Sequence, residues 1–258
     1  MTEIGASIVV TVRNEGKNIG DLLDSIEKND FSNMETIVVD DMSTDETEDI
    51  VKSYGFTVYR RVSCSRGEGR NIGVSLARYD HILFTDGDAR VSEHWISGMV
   101  NALVDGNDVV IGNTAYTGKK RYMQERVKIF LGDVEVTAPS VNLGYRKDSF
   151  LQIGGFDPKF VTAEDIDLNI RAVQAGFKFT VCGSCLVYAK VRDNLISFLR
   201  QAYWNGYGRY QLELKHPGIT KNTNIRIGHN LFDFLHMVSG GAGYLSARID
   251  YREDRKKN

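Results

Sequence analysis

β-Branched runs of strand length alternate with helical stripes over the first ninety residues, and no other feature constrains the fold as far. Ser7-Ile8-Val9-Val10-Thr11-Val12 is continuous in apolar and β-branched side chains, the pattern of a strand covered on both faces. Ile19, Leu22, Leu23 and Ile26 then recur at i, i+3, i+4 and i+7, one face of a helix. Thr36-Ile37-Val38-Val39 is a second strand ending at Asp40-Asp41. Ser43 and Glu46 have capping-box spacing for the next helix, and Gly55 is placed to end it. A short strand at Thr57-Val58-Tyr59, a helix from about Gly69 to Ala77 and a strand from His81 to Asp86 complete the series. This alternation predicts an α/β fold: a mostly parallel, Rossmann-like central sheet with helices on both faces.

Beyond Ala89 the pattern becomes mixed, which predicts a small mixed sheet. Ser92 is placed to cap a helix running through Leu103, and Val109-Val110-Ile111 is a strand. Lys119 to Leu131 has a helical pattern, and Val141 to Tyr145 is extended. Gly154-Gly155-Phe156-Asp157-Pro158 must turn. A helix from Thr162 to Ala175 ends at Gly176, followed by short strands at Phe177–Val181 and Leu186–Tyr188. Asn194 to about Glu213 is a helix rich in aromatics. Leu231 to Leu245 is apolar but interrupted by Gly240-Gly241.

Charge divides the chain where the motifs do not. Residues 1–189 hold 20 Lys and Arg against 28 Asp and Glu, and residues 190–258 hold 12 against 6. The expected organisation is a main domain over 1–189, in two halves that meet near residue 90. A basic, aromatic helical extension over 190–258 packs on it. Such an extension suits an anionic partner, so peripheral contact with a membrane surface is expected there, through a helix carrying Arg200, Trp204, Tyr207 and Arg209. The amino terminus lacks a signal-peptide pattern, and no apolar run reaches the roughly 20 residues of a spanning helix. Three cysteines argue against a disulfide framework and for a reducing, cytoplasmic setting, at the inner face of a membrane if the extension makes that contact. Cys182-Gly-Ser-Cys185 is read as a pair of buried structural thiols, because no second Cys or His pair accompanies it.

The chemistry concentrates at strand ends. Asp86-Gly87-Asp88 closes an apolar strand with two carboxylates, at the edge where open α/β sheets bind ligands. They repel unless a cation lies between them, and a hard divalent ion that also holds phosphate oxygens fits; by itself the motif equally fits an acidic turn. Arg13-Asn14-Glu15 and Asp40-Asp41 end neighbouring strands, where carboxylates accept hydrogen bonds from a base or ribose. Ser65-Arg66-Gly67-Glu68-Gly69-Arg70 leads into a helix whose N–H groups, with Arg66 or Arg70, can hold a diphosphate. Glu164-Asp165-Ile166-Asp167 begins another helix; the acids suit its dipole, Asp167 and Arg171 form an i, i+4 pair, and a carboxylate held there can take a proton from a hydroxyl. There is no Walker loop, no paired Ser/His/Asp context and no nucleic-acid module.

Taken in order, these pieces resemble the family 2 glycosyltransferases of the GT-A fold, from about Ser7 to Gly206. The resemblance rests on Asn14-Glu15, Val39-Asp40-Asp41-Met42-Ser43-Thr44-Asp45, Gly69-Arg70-Asn71-Ile72-Gly73, Asp86-Gly87-Asp88, Gly154-Gly155-Phe156-Asp157 and Glu164-Asp165-Ile166-Asp167-Leu168. It implies a nucleotide-diphosphate sugar donor of UDP or GDP type, Mn²⁺ or Mg²⁺, and a saccharide, lipid-linked or small-molecule acceptor. Thr11, Arg13, Glu15, Asp41, Arg66, Arg70, Asp86, Gly87 and Asp88 would form the donor site. Asp88 with Asp86 would hold the metal, Asp165 with Glu164 would be catalytic, and Gly144, Tyr145, Arg146 and Trp204 would lie near donor sugar and acceptor. The reaction implied is a single displacement with inversion.

One departure stands out. Many relatives carry a His after the late strand, in a Val-Tyr-His pattern, where this chain has Val187-Tyr188-Ala189-Lys190. Ala189 coordinates nothing, which leaves Lys190, Arg192 or water to take that role. The alternatives are a sugar nucleotidyltransferase, for which Arg13-Asn14-Glu15-Gly16 supplies too few glycines, a non-catalytic module that retains the fold, and a retaining transferase.

Overall fold

A computed structural model of the chain describes residues 4–124, 127–219 and 230–257. The strands are β1 Ala6–Val12, β2 Met34–Asp40, β3 Thr57–Arg61, β4 His81–Asp86, β5 Ala89–Val91, β6 Val109–Thr117, β7 Phe130–Leu131, β8 Val134–Glu135, β9 Leu143–Arg146 and β10 Phe179–Lys190. The α-helices are α1 Ile19–Glu27, α2 Thr47–Ser53, α3 Arg66–Leu76, α4 Trp95–Val104, α5 Lys147–Gln152, α6 Glu164–Gln174, α7 Leu195–Lys215 and α8 Leu231–Lys257.

The main sheet runs β3-β2-β1-β4-β9-β6-β10-β5. Strands β3, β2, β1 and β4 are parallel, as the alternation requires. β9 inserts antiparallel between β4 and β6, and β5 lies antiparallel on β10. β7 and β8 form a small antiparallel sheet of their own. Strand pleat divides the core in two: Ile8 and Val10 face the layer of α1 and α4 with Leu22, Leu23, Trp95 and Met99, whereas Val9 faces Val74, Phe84, Phe150, Phe156 and Leu168 on the other side.

Helix α3 starts earlier than periodicity suggests. Ser65 Oγ accepts from Glu68 N while Glu68 reaches back to Ser65 N, a capping box that begins the helix at Arg66. The helix then presses on β1, because Cβ atoms at Gly69 and Gly73 would collide with Thr11 (2.9 Å) and Val9 respectively. Arg70 is thereby carried to the sheet edge.

Other local expectations are corrected. Ser43 caps no helix; its Oγ accepts from Asn14 N, and Asp45 Oδ1 accepts from Thr47 N at the start of α2. Among the described residues of Lys119–Leu131 there is no α-helix: a 3₁₀ turn spans Lys120–Tyr122, and the Tyr122 ring packs against Phe198 and Phe232, contacts that no local pattern encodes. The two late strands are one, β10, with a bulge between Cys182 and Leu186. Cys182 and Cys185 span that bulge as a disulfide, so they are not the free thiols expected, and Cys64 remains free. Helix α8 continues through Gly240-Gly241 and packs along α7, where a Cβ on Gly243 would strike the Tyr203 carbonyl. Among the described residues, no helix is long and apolar enough to cross a membrane.

Candidate active site

The carboxyl edge of β1, β2 and β4 gathers most of the predicted donor residues. Thr11 pairs with Val39 on one side and Asp86 on the other. Arg13 Nη1 lies 2.9 Å from Asp41 Oδ2, and Asp41 Oδ1 accepts from Cys64 N at 3.3 Å. Asp40, by contrast, is structural: it is fully buried and accepts from Ser43 N and the Tyr59 hydroxyl. Glu15 accepts from Asn18 Nδ2 at 2.8 Å, and its own N–H donates to Thr47 Oγ1. Gly87 lets the Asp86–Asp88 turn settle onto β1, since a Cβ there would lie 2.7 Å from Val12 and 3.3 Å from Glu15. Arg66 is exposed at the amino-terminal turn of α3.

Backbone strain marks the same loops. Among the described residues, the non-glycine positions with positive φ are Asn14 (54°), Met42 (52°) and Ala163 (66°). They adjoin Glu15, Asp41 and Glu164 in turn. Non-glycine residues in this region cost energy and concentrate where geometry is held for function. Asn14 offsets part of the cost by accepting from Thr44 N at 2.8 Å.

Arg70 joins the two acidic clusters. Its guanidinium, 1% exposed, donates through Nη1 to Glu164 Oε1 (2.7 Å) and through Nη2 to Asp86 Oδ1 (2.9 Å). Its Nε finds no partner. A buried cation of this kind is stable only with its counter-ions in place. Glu164, buried at the first position of α6, is therefore consumed by an ion pair.

Each cluster retains one carboxylate outside this bridge. Asp88 is pushed up to about 6 by burial and then by the Asp86 and Glu15 carboxylates, with Arg192 opposing. Asp165 is also pushed up to about 6, by burial first and then by Glu164, while Arg70 and the N–H groups of Ser140 (3.1 Å) and Ile166 (2.9 Å) favour its charged form. Asp167 is the opposite case. Its carboxylate is fully buried, but His216, Lys215 and Arg171 hold it down to about 2, and it ties α6 to the end of α7.

The late-strand departure also has a place. Ala189 pairs with Ala89, next to Asp88. Lys190 is drawn to α1, with Nζ 2.7 Å from Asn18 Oδ1 and 3.8 Å from Asp21. Of the two cations considered, Arg192 is the one whose field reaches Asp88. Motif reading missed the Glu15–Asn18 contact and the Ser140 N–H on Asp165; the i, i+3 spacing of Glu15 and Asn18 was the one available sign.

Four predicted residues lie elsewhere. Gly144 and Tyr145 lie inside β9 opposite Leu83 and Ile82, and Arg146 pairs with His81 at the far end of β4 from Asp86. Tyr145 is fully buried, and its hydroxyl donates to Asn169 Oδ1 at 2.9 Å. The antiparallel insertion of β9 turns this segment away from the carboxyl edge. Trp204 stands on α7 one turn before Gly208, whose missing Cβ lets the helix meet the Thr162 carbonyl.

As a cation site, the edge offers Asp88 and the free oxygen of Asp86, with Glu15 adding negative charge. That oxygen-only donor set and its crowding of charge fit a hard divalent ion. No group of three or more acidic, His or Cys side chains is arranged around a metal position among the described residues, so a bound ion must complete its shell from ligand and water.

Comparison with known proteins gives the family and the fold. The family model described as glycosyl transferase family 2 matches residues 7–160. Glycosyltransferase AglE of Haloferax volcanii is 28% identical over 67% of this chain and 63% of its own length. The pre-mycofactocin glycosyltransferase of Mycobacterium tuberculosis is 23% identical over 94% of this chain and 55% of its own. The chain thus spans between about half and two thirds of these relatives. The structure of S. aureus TarS 1–349 in complex with UDP-GlcNAc superposes with a TM-score of 0.67 and 22% identity, covering 85% of this chain and 67% of that one. GalNAc-T7 with UDP, GalNAc and Mn²⁺ gives 0.64 at 14% identity, over 81% and 51%. Likeness at this identity speaks for the fold, which is the GT-A fold implied by the motifs. With the family model covering more than half of its residues, the chain belongs to glycosyl transferase family 2.

Proposed function

We propose that the chain transfers a glycosyl group from a nucleoside-diphosphate sugar to an acceptor hydroxyl, with inversion and with Asp165 as general base. The observation that carries this reading is the division of labour around Arg70. Glu164 is neutralised and buried, whereas Asp165 beside it lies outside the bridge, pushed up to about 6, near the range that suits a base at neutral pH. With Glu164 and Asp167 both committed to ion pairs, no second carboxylate of this cluster is available as a nucleophile, which favours one displacement over two.

In that displacement, Asp165 takes the proton of the acceptor hydroxyl as its oxygen forms the bond to the anomeric carbon. The bond from that carbon to the diphosphate breaks, and the nucleoside diphosphate leaves with the electron pair. Arg66 and the N–H groups left free at the start of α3 would hold the departing charge. Asp41 and Glu15 hold the nucleoside. Asp88 with Asp86 would hold Mn²⁺ or Mg²⁺, which supplies electrostatic stabilisation of the leaving diphosphate when bound. A UDP-type donor is supported by the UDP-GlcNAc complex of TarS and the UDP and Mn²⁺ of GalNAc-T7.

The test is a thermal-shift screen of UDP- and GDP-sugars with and without Mn²⁺, followed by transfer assays on Asp165→Asn. Stabilisation by one nucleotide-sugar class, with transfer lost in the variant, is expected. Full turnover by the variant would remove Asp165 from its role.

A further inference from the structure

Helix α8 has two apolar faces, and only one is used. Gly240, Gly243 and Ala247 pack on α7, reinforced by Tyr207 donating to Asp250 (3.2 Å) and by Gln211 Nε2 donating to the Tyr251 hydroxyl (2.7 Å). On the opposite side, Leu231, Phe234, Val238, Leu245 and Ile249 fall at helical spacing, and each is more than half exposed. They form a continuous stripe along the helix, with small Gly241 and Ala242 at its middle. Single exposed apolar side chains are ordinary, but a stripe of five along one helix is not.

Charge selects what covers it. Arg248 and Arg252 are exposed beside the carboxyl-terminal end of the stripe, in a region with 12 Lys and Arg against 6 Asp and Glu. The acids of α8 whose side chains are described point elsewhere: Asp233 Oδ1 accepts from Gln124 Nε2, while Asn230 Oδ1 caps the helix by accepting from Asp233 N, and Asp250 accepts from Tyr207. Among the described acids, a second copy of α8 would offer these arginines only Asp250, which stands off the stripe, whereas an anionic lipid surface offers both hydrocarbon and negative charge.

We propose that α8 lies in the plane of an anionic membrane surface, with the Leu231–Ile249 stripe as its buried face and Arg248 and Arg252 on the headgroups. The sequence pattern pointed to α7 for this contact; the structure moves it to the outer face of α8. The hairpin is joined to the catalytic side through Gly208 against Thr162 and Gln211 Nε2 donating to the Lys159 carbonyl (2.8 Å), so docking would fix the α6 cluster relative to the bilayer. The proposal does not depend on the reaction assigned above.

The experiment is co-sedimentation of the full chain with vesicles of phosphatidylglycerol or of phosphatidylcholine alone, with light scattering to give the oligomeric state. Binding to the anionic vesicles, weakening as salt rises, is expected. Leu245→Glu with Ile249→Glu should lower the vesicle partition constant by about tenfold or more. Arg248→Gln with Arg252→Gln should lower it several-fold and flatten the salt dependence. UDP binding by calorimetry, on a chain of unchanged circular dichroism, shows that each variant is folded and reports the donor site separately. No pelleting with anionic vesicles at low salt would overturn the proposal. So would a dimer that the Leu245→Glu, Ile249→Glu pair converts to monomer without changing lipid binding.

Discussion

The acidic clusters at the end of β4 and the start of α6 are built alike and behave differently. Each has one carboxylate tied to Arg70, Asp86 in one and Glu164 in the other, and one left outside the bridge, Asp88 or Asp165. The first cluster opens toward Glu15 at the carboxyl edge of the sheet; the second is closed by Ser140 and the buried Glu164. In the proposed mechanism, similar acidic pairs thus suit cation binding where Glu15 adds charge, and proton transfer where a single carboxylate is enclosed. Enclosure, not position relative to the shared guanidinium, separates the two proposed roles.

Several experiments would break or sharpen this contrast. The largest effect expected is on rate: Asp165→Asn should lower single-turnover transfer by about 10²–10⁴ while UDP-sugar affinity holds, as read by rapid-quench assay and calorimetry. Arg70→Met removes the shared counter-ion and leaves Glu164 buried and unpaired. Urea unfolding should show a loss of about 3–5 kcal/mol, and a loss below 1 would mean that the clusters are held independently. Asp88→Ala should reduce Mn²⁺-dependent donor affinity by about tenfold or more, with Asp165-dependent proton transfer intact once donor is saturating. Unchanged affinity would exclude Asp88 from the cation site.

The smallest effect concerns pH. Asp165 binds its proton more tightly folded than unfolded, so its contribution to stability is present below about pH 4 and is lost as pH rises through about 6. Asparagine carries no such dependence. Asp165→Asn should therefore be more stable than the parent at pH 8, with the gap closing toward pH 4. A gap that does not change between those pH values would argue that Asp165 is ionised without penalty.

Local pattern carried the parallel half of the sheet. Runs such as Ser7–Val12 need only β-branching and pleat to be recognised, and the helix stripe from Ile19 to Ile26 buries the same four residues that periodicity selected. The acids at strand and helix ends were legible for the same reason, since they interrupt apolar runs. What pattern could not supply was pairing over distance. Nothing near Arg70 indicates that Glu164 is its partner, and nothing near Tyr145 indicates that β9 runs against its neighbours and seals that ring in the core. Tyr122 unwinds an apparently helical stretch because aromatic rings from α7 and α8 surround it. Cys182 and Cys185 pair because a bulge brings their backbones to 5.3 Å.

The reach of Arg70 bears on how the molecule assembles. Its two partners lie 16 and 94 residues further along the chain. During synthesis, the amino-terminal strands and α3 are complete long before α6 exists, and at that stage a guanidinium destined for the interior has only half of its compensation. A fragment ending after β5 would carry that imbalance permanently. Completion of the acidic edge and cooperative collapse of the sheet are thus expected to arrive together, as α6 closes the circuit, with no stable amino-terminal half formed beforehand.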